Sequence, residues 1–423
     1  MSDDRSLVRR VAWREVFPWL ALLRAFRMAV SPTVLLVATL GVFVSSLGWQ
    51  VAPYLFLTKE QQTRLVQAST FTARSDVATT PAPSLAGQTP PAIGKYFPAE
   101  LSGLDEPFFE LSEPVGKLLS YQITINETAY YLFGFLWSLA VWAFVGGFIT
   151  RRAVVQTAIE DTPGLVETAQ FAFRRWLWYF LAPLYPLLGV LILLLLHVPL
   201  GWLMQIDIGV AVAGFAWIFV LLVGVAAAWL LIGTLLGWPL MWGALSAERE
   251  GDAFEAFSRS FSYIYSRPLH YLFYAVVAAL LGALGFALAF MFVQVLFDFG
   301  LWAVSWGAGR ARVDQIRELM ETGQASQPLG SGVALLSFWR NVVQTFLNGY
   351  VFAYFWSAVG IIYLLLRYDS DEKEMDEIYL PDDEPATGPP QRPPTPSVPA
   401  GPSTVVEPPS DTITAKPQPG AGE

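Results

Sequence analysis

The sequence predicts an all-α, polytopic integral membrane protein: six transmembrane helices as three hairpins, with amphipathic helices at the cytoplasmic interface. Three observations predict it. The 423-residue chain is 54% apolar and only 14% charged, against roughly 25% charged in ordinary soluble domains. Its mean hydropathy is +0.46. Its charge-free stretches recur at the length a bilayer demands, roughly 20 apolar helical residues for a hydrocarbon core of about 30 Å. These properties exclude a soluble enzyme, a disordered chain and a fibrous one. Cys is absent and His occurs twice, which excludes disulfides and thiol catalysis and argues against a His-based metal centre. No enzymatic activity, cofactor or metal is expected.

Stretches without Asp, Glu, Lys or Arg cover residues 31–58, 128–150, 268–297 and 341–366, and the block 177–246 carries only Asp207. That block is about twice the length of one span, and His197, Pro199, Gly201, Gln205 and Asp207 mark a turn near its middle. Six spans follow, near 33–55, 129–150, 177–200, 209–236, 269–297 and 343–366. Helices satisfy every backbone group in lipid over such lengths. Pro239 reads as the point where the fourth helix leaves the membrane; a broken transport helix is the alternative.

An even number of spans puts both termini on one side. Fifteen Lys and Arg residues flank the spans on that side, and nine are spread over the longer opposite loops. The positive-inside rule therefore places both termini in the cytoplasm, and the expected location is a bacterial inner membrane. The domain plan is a cytoplasmic amphipathic segment (1–31), a membrane domain (32–367) and a cytoplasmic tail (368–423). No cleavable signal is read at the N-terminus. Trp49, Tyr54, Tyr130, Tyr131, Trp176, Trp178, Tyr179, Tyr271 and Tyr274 fall at span ends, where amphipathic rings favour the headgroup level.

The entries into spans one, three and five look alike: a basic, aromatic-rich segment, a proline, then the span. They are Leu23-Arg24-Ala25-Phe26-Arg27 with Pro32, Phe173-Arg174-Arg175-Trp176 with Pro183, and Arg259-Ser260-Phe261 with Arg267-Pro268. An amphipathic helix with arginine toward phosphate and rings in the acyl boundary lies in the interface plane. Arg24, Arg27, Arg174, Arg175, Arg259, Arg267 and His270 are therefore the candidate lipid-headgroup or interface residues. In residues 248–266, Phe254, Phe257, Phe261 and Ile264 fall at helical spacing.

The run Gly251-Asp252-Ala253-Phe254-Glu255-Ala256-Phe257-Ser258-Arg259-Ser260-Phe261-Ser262-Tyr263, with Ala182-Pro183-Leu184-Tyr185-Pro186, resembles a motif of uncharacterised six-helix bacterial membrane proteins, planctomycete-like members above all. That group is similar to the membrane region fused to some glycerophosphodiester phosphodiesterases. The resemblance covers roughly residues 130–300. It implies a six-helix fold and no assigned reaction, and the phosphodiesterase catalytic domain has no counterpart here.

Within the spans, Ala275, Ala279, Ala283 and Ala287, widened by Ala278, Gly282 and Gly285, form a ladder of small residues suited to close helix contact. Gly233 and Gly237 repeat that spacing. Intramembrane ionisable groups, the default functional signal, are nearly lacking: His197, Asp207 and Asp298 sit at span ends. No proton relay or nucleotide loop is present.

The first external loop (58–127) holds a Pro, Ala and Thr-rich linker over 79–98 and a short surface helix over 108–120. The second (300–339) reads as a solvated helix with charge pairs among Arg310, Arg312, Asp314, Arg317, Glu318 and Glu321. From residue 367 onward the net charge is −8 of the chain's −9, and the Pro-rich end is expected to stay disordered. The remaining body is near neutral, which excludes nucleic acid as a partner. Membrane lipids are the expected partners, with other membrane proteins as further ones. The favoured function is a non-enzymatic membrane module organising lipids or partner proteins. The alternative is a transporter for a hydrophobic or lipid-like solute, which would show a midplane cavity between hairpins.

Overall fold

The computed structural model describes residues 17–63, 105–120, 123–248, 251–322 and 329–379. The first 16 residues, the linker over 79–98 and the Pro-rich end lie outside them. No strand occurs among the described residues. A 3-10 turn (Pro18–Leu22) leads into α1 (Leu23–Ala29) and span one, α2 (Pro32–Phe56). Then come α3 (Glu106–Leu118), span two as α4 (Ile125–Ala158), the short α5 (Leu165–Arg174), and span three as α6 (Trp176–Leu195) with α7 (Val198–Leu203). Next are α8 (Asp207–Phe215), span four as α9 (Trp217–Ala247), α10 (Ala253–Ser266), span five as α11 (Pro268–Ala308), α12 (Arg310–Thr322) and span six as α13 (Leu329–Asp371). All six spans are long and apolar enough to cross a membrane.

Spans two and six are the most buried. Spans one and four each pack on both, span three on four and two, and span five on six. Glycines opposite indoles set the close approaches. A Cβ on Gly146 would lie 2.5 Å from the Trp242 ring, and one on Gly48 would lie 2.0 Å from Trp137. Trp142 stacks on Phe352 at 4.4 Å and Trp242 on Trp356 at 4.2 Å, with Trp238 edge-on to both members of the second pair. Such pairs contribute about 0.5–1.5 kcal/mol each beyond area burial. These indoles hold the core together, a use distinct from the interfacial role read for Trp49 and Trp176.

Several boundaries differ from the sequence expectation. Spans five and six have 41 and 43 residues, about 62 and 65 Å of helix. Much of the expected loop 300–339 is therefore helical extension, with α12 as the charged helix. Its Arg317 bonds Asp298 at 3.2 Å. The fourth helix is broken at Ala216 and runs on through Pro239 to Ala247. Leu236 O and Gly237 O, in the turn before the proline, accept bonds from Tyr271 Oη and Ser260 Oγ, both 2.7 Å.

Two of the short helices, α1 and α10, turn apolar residues onto protein. α10 lies along α9, with Phe261 and Tyr265 against Gly233 and Ile264 against Gly237. The 3-10 turn and α1 bury Leu22, Ala25, Met28 and Ala29 and pack on spans five and six. Val166, Phe173 and Phe254 stay exposed. Pro32 and Pro268 open their spans, whereas Pro183 sits inside α6 and the break before span three falls at Arg175. The recurring unit is thus kept in its first and third copies and altered in the second.

Candidate functional site

The spans end together at a basal end, which carries Ala158, Trp176, Ala247, Pro268 and Asp371; the opposite end is called distal. At the basal end the last carbonyls of α9 have no partner within their helix, and cations there are favourable. Arg151 donates to Ser246 O (2.7 Å) and Tyr379 O (2.8 Å), while Arg175 donates to Leu245 O and Glu248 O, both 2.9 Å. Both guanidiniums lie over the Phe171 ring, at 4.1 and 4.7 Å. The chain after span six returns to this point, where Tyr379 N donates to Ala247 O over 3.0 Å.

Beside it, Glu248 gathers Tyr363 Oη (3.0 Å), Arg367 (3.3 Å) and Arg259 (3.5 Å). Arg259 also binds Glu255 at 2.7 Å and approaches Asp371 at 3.9 Å. Burial works against its charge, but the Glu255 bond and the nearby Glu248 outweigh it and raise its pKa further. This junction fastens α10 and the start of the tail to span four.

The second feature is α3. Its sequence suits a surface helix, yet Pro107, Leu111, Pro114 and Val115 are buried and it packs between spans two and six. Those spans meet through Trp142 and Phe352 and through Gly360 and Thr150. Glu110 Oε1 accepts from Ser45 Oγ, which is 2.9 Å from Ser138 Oγ. Glu110 Oε2 accepts from Trp142 Nε1 at 2.9 Å, and Trp49 Nε1 donates to Ser138 Oγ at 2.9 Å. Trp142 lies 12 residues from Tyr130 and nine from Arg151, about 18 and 14 Å along the helix. A carboxyl from the segment between spans one and two is therefore held midway along span two. Its partners are neutral donors, so it serves as a lock between α3, span one and span two.

The third feature is a cavity of about 360 Å³ between spans four, five and six, within the usual range of small-molecule sites, about 300–1,000 Å³. Ala275, Ala279 and Gly282 form one wall and Pro239 another. Tyr354 and Val351 also line it, as do Phe108 of α3 and Asp105, the residue before that helix. The small-residue ladder thus serves two ends. Gly282 and Gly285 pack on Tyr354 and Tyr350, with Tyr354 Oη bonded to Ala278 O at 2.7 Å, while Ala275, Ala278, Ala279 and Gly282 also line the space.

The candidate interface residues divide too. Arg27, Arg174, Arg267 and His270 are exposed. Arg24 reaches Thr157 O at 3.1 Å and Glu160 at 2.7 Å, and shares a cleft with Arg27. Arg175 and Arg259 turn into the basal junction. Sequence reasoning missed Arg151, Glu248 and Arg367 there, and missed Asp105 and Glu110 altogether. Proline and phenylalanine crowding among the acids of 105–115 was the available signal. Among the described residues no group of His, Asp and Glu could hold a metal ion. Compared with known proteins, the chain matches no family model, no curated protein and no solved structure.

Proposed function

We propose that this multi-pass membrane protein is a non-enzymatic lipid-handling module of a bacterial inner membrane, with both termini cytoplasmic. In this reading it takes an apolar or lipid-like molecule sideways between spans four and five. The kinship with six-helix bacterial membrane proteins belongs to the same proposal. The observation that supports it is the cavity: spans four and five are consecutive, yet α10 and span six lie between them and leave an apolar space walled by Ala275, Ala279 and Gly282. Apolar space on a lipid-facing bundle fills with apolar matter, because vacant volume forfeits dispersion contacts.

A second reading, passage of the solute across the bilayer, has one observation in its favour. Two lining residues, Asp105 and Phe108, belong to a segment that enters from the distal loop, so that loop contributes to the same space as the basal halves of spans four and five. Photoactivatable lipid in nanodiscs tests the first reading. Label is expected on the span-five peptide containing Ala279, and Ala279→Trp is expected to remove most of it. Undiminished labelling in that variant overturns the reading. Flux in proteoliposomes tests the second, and no flux of any apolar solute above empty liposomes removes it.

A further inference from the structure

We propose that the cavity between spans four, five and six selects hydrophobic cations: an ammonium or quaternary ammonium group on an apolar body, without a phosphate. This rests on the reading of that cavity as a site for apolar molecules, and adds the charge of the occupant.

The lining carries the argument. Among the described lining residues Asp105 is the one charged group, and no Lys, Arg or His faces the space. Asp105 precedes the first turn of α3, but its side chain makes no capping bond there, and it has no ion-pair partner among the described residues. The rings of Phe108, Tyr271, Tyr354 and Phe355 line the same space, and ring faces attract cations. The tyrosine hydroxyls are already committed, Tyr271 to Leu236 O and Tyr354 to Ala278 O, both at 2.7 Å. A phosphate or carboxylate would meet a carboxylate and find no side-chain donor, a costly desolvation. A cation would meet one carboxylate and several ring faces.

The surroundings add to this bias. Glu106 adjoins Asp105, and Glu110 follows one turn later. Burial raises the Glu106 pKa, and the charges of Glu110 and Asp105 raise it further. That repulsion is relieved by a cation. A zwitterionic phospholipid brings its phosphate with its amine, so a free hydrophobic cation is the favoured source over an amine-headed lipid.

The test uses the full chain in phosphatidylcholine nanodiscs. Two photoreactive dodecyl probes differ only in the head, trimethylammonium or hydroxyl, and adducts are mapped by mass spectrometry. The cationic probe is expected to label the peptides carrying Tyr271–Gly282 or Val351–Ile362. Asp105→Asn should lower that labelling about fivefold, the scale of one partly exposed charge contact, and leave the hydroxyl probe and the melting temperature unchanged. Ala279→Trp should remove both labels. Dodecyltrimethylammonium should compete, and dodecyl sulfate should not.

Equal labelling by both probes, unaffected by Asp105→Asn, overturns the charge preference and leaves the apolar site standing. Absence of cavity label from either probe overturns both. Competition by phosphatidylethanolamine as strong as that of the quaternary amine overturns the choice of a free cation.

Discussion

Trp142 Nε1 donates to Glu110 Oε2 over 2.9 Å, joining the middle of span two to a helix of the segment between spans one and two. The same indole stacks on Phe352 of span six at 4.4 Å. One side chain thus ties two central spans and the inserted helix together. Removing the carboxyl strands the indole N–H in the core, while Ser45 Oγ keeps Ser138 Oγ at 2.9 Å, and a buried unsatisfied group costs about 1–3 kcal/mol.

Glu110→Ala is therefore expected to release α3 and lower stability by about 1–3 kcal/mol, while Glu110→Gln keeps an acceptor and loses less. Burial raises the Glu110 carboxyl above its ordinary 4.5, against the lowering pull of its Ser45, Trp142 and Ser138 bonds. A group raised in the folded state contributes stability that is whole below the unfolded value and is lost as pH rises through the folded one. Docking of α3 should accordingly loosen as pH climbs above 4.5. The chain has no Cys, so a nitroxide on Glu113→Cys reports the helix alone. Its mobility should increase with pH in the native background and stay flat with Glu110→Gln. A flat profile in both would count against the lock.

Glycine to alanine is expected to have opposite signs at two positions. At Gly146 the new Cβ would press on the Trp242 and Trp356 rings at 2.5 and 2.8 Å, and overpacking of this kind costs about 1–3 kcal/mol. At Gly116, in α3, nothing lies within 4 Å, and the substitution should stabilise by about 0.5–1 kcal/mol. Melting temperatures of the two variants in one detergent decide the matter.

Arg151→Ala should destabilise by about 3 kcal/mol, since two charge-assisted bonds to Ser246 O and Tyr379 O are lost together. Arg151→Lys should recover only part, because an ammonium lacks the planar fork that reaches two carbonyls. Proteolysis near Tyr379 reads the same event: cleavage should speed up in Arg151→Ala. A cleavage rate equal to that of the parent chain would contradict the capping role.

The basic residues near the basal end should separate into two groups by measurement. Glutamine at Arg27, Arg174 or Arg267, all exposed, is expected to reduce retention of anionic lipid through purification and leave stability within about 0.5 kcal/mol of the parent. Glutamine at Arg175 or Arg259 should lower the melting temperature instead, because their partners are Leu245 O, Glu248 and Glu255. Uniform behaviour across the five would dissolve the distinction.

How much was legible beforehand can be followed through particular residues. The charge-free runs give the six spans and their alternating directions, because lipid tolerates neither charge nor unpaired backbone over that distance. The ends of spans five and six were not legible, since helix can continue past the hydrocarbon without an apolar pattern. Phe254, Phe257 and Phe261 correctly announce an amphipathic helix, but periodicity does not say whether lipid or α9 covers its face. The aspect of Arg259 follows from that choice.

The sequence by itself determined the solvent of this chain and the number of times it crosses that solvent, because contiguous apolar length is a local property. Only the tertiary structure decided where the carboxyls and arginines point. Glu110 meets Ser45 across 65 positions of sequence and Arg151 meets Tyr379 across 228. Such partners are chosen by three-dimensional packing, in which burying an unpaired charge costs more than any local preference repays.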